Sequence, residues 1–152
     1  MVRILPEPVT TTVAQAMDLA VLSQNLDRAL LAKLDAAVPM TISAYCDAYR
    51  QSAHVDERAR QIELIVAVGT ALDRYVKKPL IRTALAMMRQ PARAAGLGAL
   101  QDLLERGFAA FARMHGAETF LSTVKAREKA IMAAIFAGND SPFPDPVKRR
   151  AR

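Results

Sequence analysis

Leu64-Ile65-Val66-Ala67-Val68-Gly69 places five apolar residues and a glycine in succession. What regular structure can hold that run decides the fold class. A buried strand and a buried helix both accommodate it, and length arbitrates. The run sits inside some twenty residues without a proline, from about Glu57 to Lys78, which is helix length. Five consecutive side chains cover more than one turn, so no side of the helix is polar there. A helix apolar all round is buried all round, so this is read as the central helix, with Gly69 marking a close helix crossing.

Upstream of its N-cap, Asp56, a short helix is expected from about Met40 to Arg50, opened by Pro39, with Ile42, Tyr45 and Tyr49 on one side. Before that, Thr10, Thr11 and Thr12 offer an N-cap to a first helix reaching about Leu34, and residues 1–9 read as extended. Val13, Met17, Leu22, Leu26, Leu30 and Leu34 form its expected core stripe. Downstream, Pro79 ends the central helix and begins another, to about Gln90, whose stripe is Ile81, Ala84, Leu85 and Met88. Pro91 to Gly98 is a connector with room for one helical turn. A helix follows from Leu97 or Gly98 to His115, with Leu100, Leu104, Phe108 and Phe111 on one face and Gln101, Asp102 and Glu105 elsewhere. Gly107 in its middle costs about 1 kcal/mol relative to alanine, which close packing would offset. The last helix spans about Ala117 to Ala137, with Gly138 as its stop and Phe120, Val124, Ile131 and Ile135 as its stripe. Arg127 and Glu128 interrupt that stripe, so one of them is expected at the core edge, as a snorkelling arginine or a partly buried pair. The fold class is therefore all-α, a single-domain bundle of about six helices over residues 1–138. Residues 139–152 form a flexible basic tail ending Lys148-Arg149-Arg150-Ala151-Arg152.

Composition agrees. The chain has 152 residues, 52% of them apolar, with alanine the commonest residue and no tryptophan. Alanine is the best helix former, and its small side chain lets helices approach closely. The single cysteine, Cys46, cannot form an internal disulfide and suits a reducing compartment. Neither a secretory signal nor a stretch of about 18 uncharged apolar residues is present, which points to the cytoplasm.

Charge is the most local feature. Between Asp73 and Asp102 lie Arg74, Lys77, Lys78, Arg82, Arg89 and Arg93, with no acidic residue among them. That stretch carries the whole formal charge of +6, and the remainder of the chain sums to zero. A local excess points to an anionic partner more than a uniform one does. Lys78, Arg82 and Arg89 are expected on one helix face, with Arg93 and the Gly96–Gly98 turn at the start of the next helix. A helix start presents free N–H groups, so Arg82, Arg89, Arg93, Gly96 and Gly98 are the candidate anion-binding residues, weighed against a solvated face paired to neighbouring acids.

Two segments carry a resemblance. One runs Arg89-Gln90-Pro91-Ala92-Arg93-Ala94-Ala95-Gly96-Leu97-Gly98-Ala99-Leu100-Gln101 and continues Leu104-Glu105-Arg106-Gly107-Phe108-Ala109-Ala110-Phe111. The other is Ala126-Arg127-Glu128-Lys129-Ala130-Ile131-Met132 with Phe136-Ala137-Gly138. Together they resemble an uncharacterised group of bacterial proteins, the FFLEE-motif proteins, over most of residues 1–145. The naming motif, Phe-Phe-Leu-Glu-Glu, is absent from this chain. The resemblance implies no activity, cofactor or site residue. It does imply a shorter form with uncovered surface. With Leu19, Val21 and Leu31 apolar beyond the first helix's stripe, a homodimer through that helix is expected.

Chemical signatures are sparse. His54 and His115 are the only histidines, and neither follows a glutamate by three residues, so the di-metal bundle pattern is absent. Both read as solvated helix-end residues. Cys46, between Tyr45 and Asp47, reads as ordinary packing. Gly96-Leu97-Gly98 lacks the further glycine of the dinucleotide fingerprint and the Gly-Lys-Ser/Thr of the P-loop. Met17, Met40, Met87, Met88, Met114 and Met132 fit core filling, or an adaptable hydrophobic pocket. No cofactor is implied. The leading reading is a non-enzymatic binding module whose basic face takes an acidic protein or a phosphate-bearing ligand. A helical receptor for a hydrophobic small molecule is the alternative. A nucleic-acid binder would suit the charge but lacks a recognition motif and stacking aromatics. An enzyme is least favoured, because no acid, base and nucleophile set stands out.

Overall fold

A computed structural model of the chain describes residues 7–143 apart from 36, 38 and 115; for residues 7–9, 100 and 103 it describes the backbone alone. Residues 144–152 of the expected basic tail, His115 and the side chain of Leu100 thus lie outside the described residues. The described chain is helical and contains no strand: α1 (Glu7–Leu31), α2 (Ile42–Ser52), α3 (Val55–Val76), α4 (Pro79–Met87), α5 (Arg89–Ala94), α6 (Gly98–Arg113) and α7 (Glu118–Phe136). The all-α reading holds, with one segment more than expected because Met88 caps both α4 and α5. None of these helices is long and apolar enough to cross a membrane.

The helix ends follow local chemistry. Thr41 is the N-cap of α2, its Oγ1 accepting the Ala44 N–H at 3.1 Å. Pro79 occupies the first turn of α4, where its missing N–H costs nothing. After α5, the Gly96 N–H donates to Arg93 O (3.0 Å) and the Leu97 N–H to Ala92 O (2.8 Å). After α7, Gly138 and Asn139 repeat the pattern onto Ile135 O and Ala134 O. Both are Schellman endings. Gly96 and Gly138, each with positive φ, supply the left-handed residue that such an ending needs. Three starts differ from expectation. Helix α2 begins at Ile42, past Pro39 and Met40, and α3 begins at Val55, so Asp56 lies in its first turn and not at its cap. Helix α1 begins at Glu7, so Thr10–Thr12 lie inside it and not at its cap. Pro8 permits this, because a proline is compatible with a first turn.

The chain divides into two compact units whose boundaries fall within α1, α3 and α7. One comprises the chain up to Gln15 together with Ile65–Thr123, and the other Ala16–Leu64 together with the chain from Val124.

In the second unit Leu26, Leu30, Cys46, Ala48, Ile62 and Ile135 are buried. Around them stand four rings: Tyr45 against Tyr49 (centroids 6.0 Å apart), Tyr49 against Phe136 (5.5 Å) and Tyr45 against Phe143 (6.1 Å). Arg58 is buried here with 6% of its surface exposed. Its guanidinium carbon lies 3.6 Å from the Tyr49 ring centroid and its Nη2 donates to Ser52 Oγ at 3.1 Å. The ring face offsets part of the cost of burying that charge. Burial pushes the Tyr49 and Tyr45 hydroxyls above their ordinary pKa, and Arg58 opposes the rise in both. Arg50 ties three segments, donating through Nη1 to Ile135 O (3.1 Å) and through Nη2 to Asp47 and Asp140. Glu63 accepts from Lys125 and Lys129, each at 2.7 Å.

In the first unit Gly69 is buried against Leu121. A Cβ at Gly69 would meet Leu121 Cδ2 at 2.5 Å, so the close crossing read from this glycine is present. Asp73 joins the same region: its Oδ1 accepts the Ala117 N–H at 3.1 Å, at the start of α7. Ala71, Val76, Ala117 and Leu121 are buried here.

Several facial assignments need correction. Leu64 to Val68 are each half-buried, so the apolar run is covered on every side but only in part. On α1, Leu26 and Leu30 are buried as expected, yet Val13 and Met17 are exposed. The step of five from Met17 to Leu22 overshoots one helical turn by more than a third of a turn, which puts the two halves of the supposed stripe on different sides. On α7, Leu121 replaces Phe120 in the core, and Arg127 and Glu128 are both exposed. Gly107 is also exposed, with nothing within 4 Å of a Cβ, so no close packing offsets it. Met17, Met40, Met87 and Met88 are exposed, and so do not fill the core.

Candidate functional site

The basic stretch maps onto the end of α3, α4 and α5. Its face is not continuous, because Lys78 is the N-cap of α4 and Arg89 lies in α5, past the break at Met88. Helix α4 is rich in leucine, alanine and methionine, but neither α4 nor α5 buries any side chain.

What holds α4 to α6 is polar. Gln101 is buried, with 5% of its surface exposed, and its Nε2 donates to Leu85 O (2.7 Å) and Glu105 Oε1 (2.9 Å). Glu105 in turn receives Arg89 in two-point geometry, Nε to Oε1 and Nη2 to Oε2, both 2.6 Å. Hydrogen bonds from Arg89 and Gln101 hold the Glu105 carboxyl down at about 2. It is therefore a carboxylate at any ordinary pH, and Arg89 stays engaged. A planar guanidinium matches a carboxylate in this fork geometry better than a lysine would.

Beside this pair runs a cleft of about 590 Å³. That size is within the range of small-molecule sites. Val76, Pro79, Leu85 and Phe108 give the cleft an apolar lining, and Arg82, Arg89 and Glu105 give it charge. Arg82 also lines a neighbouring recess of about 400 Å³ with Phe111, Ala112 and Gly116. Among the described residues Arg82 has no acidic partner within 4 Å.

Of the residues singled out from the sequence, Arg82 and Arg89 thus meet in one cleft. Arg93 lies against Gly98, where a Cβ would touch Arg93 Cγ at 3.4 Å, and its Nη2 is 3.9 Å from Asp102. The N–H groups of Gly96 and Leu97 are used by the Schellman ending of α5. Gln101 and Glu105 belong to the site, although the sequence reading set them off the apolar face of α6. The signal available was their spacing of four, which puts both on one side of a helix.

The other candidate groups are quiet. Cys46 is fully buried and its thiol is pushed up by that burial, the condition of an unreactive cysteine. The side chain of His54 is exposed and lies 3.4 Å from Glu57 Oε1.

Comparison with known protein families matches residues 1–142 to a family described as a domain of unknown function, DUF8198. The chain belongs to the DUF8198 family. The cleft and every residue of the basic stretch lie inside the matched range. No curated protein and no solved structure matches the chain.

Proposed function

We propose that this DUF8198 chain is a non-enzymatic binding module whose α4–α6 cleft takes an anionic ligand with an apolar body. The observation that carries the reading is Arg82: it lines an apolar cleft with no acidic partner among the described residues, while its neighbour Arg89 is already occupied by Glu105. The apolar lining favours a ligand with a hydrocarbon portion. The guanidinium selects a phosphate or carboxylate head. The anionic-ligand and hydrophobic-ligand readings then describe two ends of one molecule.

Calorimetry with octyl phosphate, inorganic phosphate and octanol tests this. Octyl phosphate should bind most tightly, and Arg82→Ala should remove its advantage over octanol. Glu105→Gln frees Arg89 and should strengthen octyl phosphate binding. Equal binding of octanol and octyl phosphate would reject the anionic half of the reading, and no binding of either would reject the site.

We also propose that the chain pairs with a second copy through α1. Met17, Val21 and Leu31 are exposed. Their spacing of four and ten residues puts them on one side of the helix. Arg28 lies on that side and Asp18 and Asp27 border it. A twofold interface must complement itself, and a face carrying both signs can do so. A dimer by sedimentation equilibrium that Val21→Glu converts to monomer is the expected result. A monomeric parent at tens of micromolar would reject it.

A further inference from the structure

We infer that the outer face of α4 docks on an anionic lipid surface. Leu80, Thr83, Ala84 and Met87 follow the three-and-four spacing that gathers side chains on one face of a helix. All four are exposed, Leu80 at 79% and Met87 at 74%. The Thr83 hydroxyl donates back to Pro79 O at 3.2 Å, which satisfies it within the helix. The face is therefore an apolar ridge with no polar group of its own left to satisfy. The cleft lies mainly along another side of α4, on Leu85, Ala86 and Arg82; Thr83 borders both, while Leu80, Ala84 and Met87 lie outside the cleft.

The ridge is open apolar surface that a partner can cover. Helix α4 is held from its other side, where Ile81 and Leu85 are half-buried and Leu85 O accepts from Gln101. The charge around the ridge narrows the choice of cover. Lys77 and Lys78 precede it and Arg89 and Arg93 follow it, with no acidic residue between Asp73 and Asp102. Lys77, Arg89 and Arg93 have acidic partners in Asp73, Glu105 and Asp102. Arg74, Lys78 and Arg82 have none within 4 Å among the described residues. A second copy would place this one-signed patch against itself across a twofold axis, which is repulsive. An anionic surface is attracted instead.

The shape favours lipid over an acidic protein. Leucine and methionine stand up from a convex helix, with cationic residues at both ends of the ridge. Long basic side chains in those positions can lie along the apolar layer and keep their charges among lipid headgroups. A fluid bilayer accepts such a ridge without a preformed groove.

The test is co-sedimentation of the full chain with vesicles of phosphatidylcholine alone and of phosphatidylcholine doped with phosphatidylserine. We expect partitioning onto the doped vesicles that weakens as salt is raised, and little onto the neutral ones. Leu80→Asn and Met87→Asn should each lower the partition coefficient about tenfold. Lys78→Gln should lower it about fivefold. Since these side chains are exposed, the variants should fold, which circular dichroism checks. Met40→Ser, at an exposed methionine ahead of α2, should change partitioning by less than about twofold. Equal binding to both vesicle types would overturn the proposal, as would a loss in Met40→Ser equal to that in Leu80→Asn. It would equally be overturned if the chain ignored vesicles but bound polyglutamate through Leu80 and Met87, or if those variants changed the oligomeric state.

Discussion

The region built from α2 with parts of α1, α3 and α7 and the region built from α4, α5 and α6 use the same helical grammar, yet one is closed and the other open. In the first, Tyr45, Tyr49, Phe136 and Phe143 make a connected set of rings, and Arg50 and Arg58 are bound inside their unit. In the second, the two rings, Phe108 and Phe111, both stand on α6 and are only half-buried, while α4 and α5 contain no aromatic residue and no fully buried side chain. The difference teaches what ring side chains do in an alanine-rich protein. A ring buries about 150–250 Å² and can cover a neighbour across a helix gap, which alanine cannot. On α4, which has no ring of its own, Leu80 and Met87 stay uncovered, and polar bonds such as Gln101 to Leu85 O help hold the helix in place.

Substitutions can break or sharpen this contrast. The largest effect is expected in the closed region, at Ile135, a side chain only 1% exposed. Ile135→Ala should lose about 2–5 kcal/mol in chemical denaturation. A loss below about 1 kcal/mol would mean that this region is no better packed than the other. Next comes Gly69→Ala, which forces a Cβ onto Leu121. Overpacking of about 1–3 kcal/mol, offset by about 1 kcal/mol of helix propensity, leaves a net loss near about 1 kcal/mol. Gly107→Ala is the opposite case, an exposed glycine with open space around it. It should gain about 0.5–1 kcal/mol, seen as a higher Tm. The smallest effect belongs to the open region, where Leu80 stands in solvent. Leu80→Ala should leave stability within about 0.5 kcal/mol of the parent. A loss of about 2 kcal/mol or more, the scale of a buried leucine, would show that Leu80 is covered in solution and would erase the contrast.

Much of the backbone was legible in the chain itself. The proline-free length around Leu64–Gly69 called for a helix. Pro79 opened α4, and Gly96 and Gly138 ended α5 and α7, because these residues act on the dihedrals of their own neighbourhood. Gly69 announced a close crossing for a reason as local: a missing Cβ admits a neighbour. The basic stretch was equally plain, since charge is counted and not folded.

Which way each helix turns its side chains was decided only by tertiary packing. The sequence offers Met17 and Leu26 as equal members of one stripe, and the structure buries one and exposes the other. Gln101 looks like a surface residue until Leu85 O is placed 2.7 Å away. Arg89 looks free until Glu105, sixteen residues on, closes a fork on it, which leaves Arg82 as the cleft's arginine without an acidic partner among the described residues. Helix formation rests on contacts within a few residues, so composition and punctuation encode it directly. Burial and charge pairing rest on which distant residues share the space, and only the folded chain sets those distances.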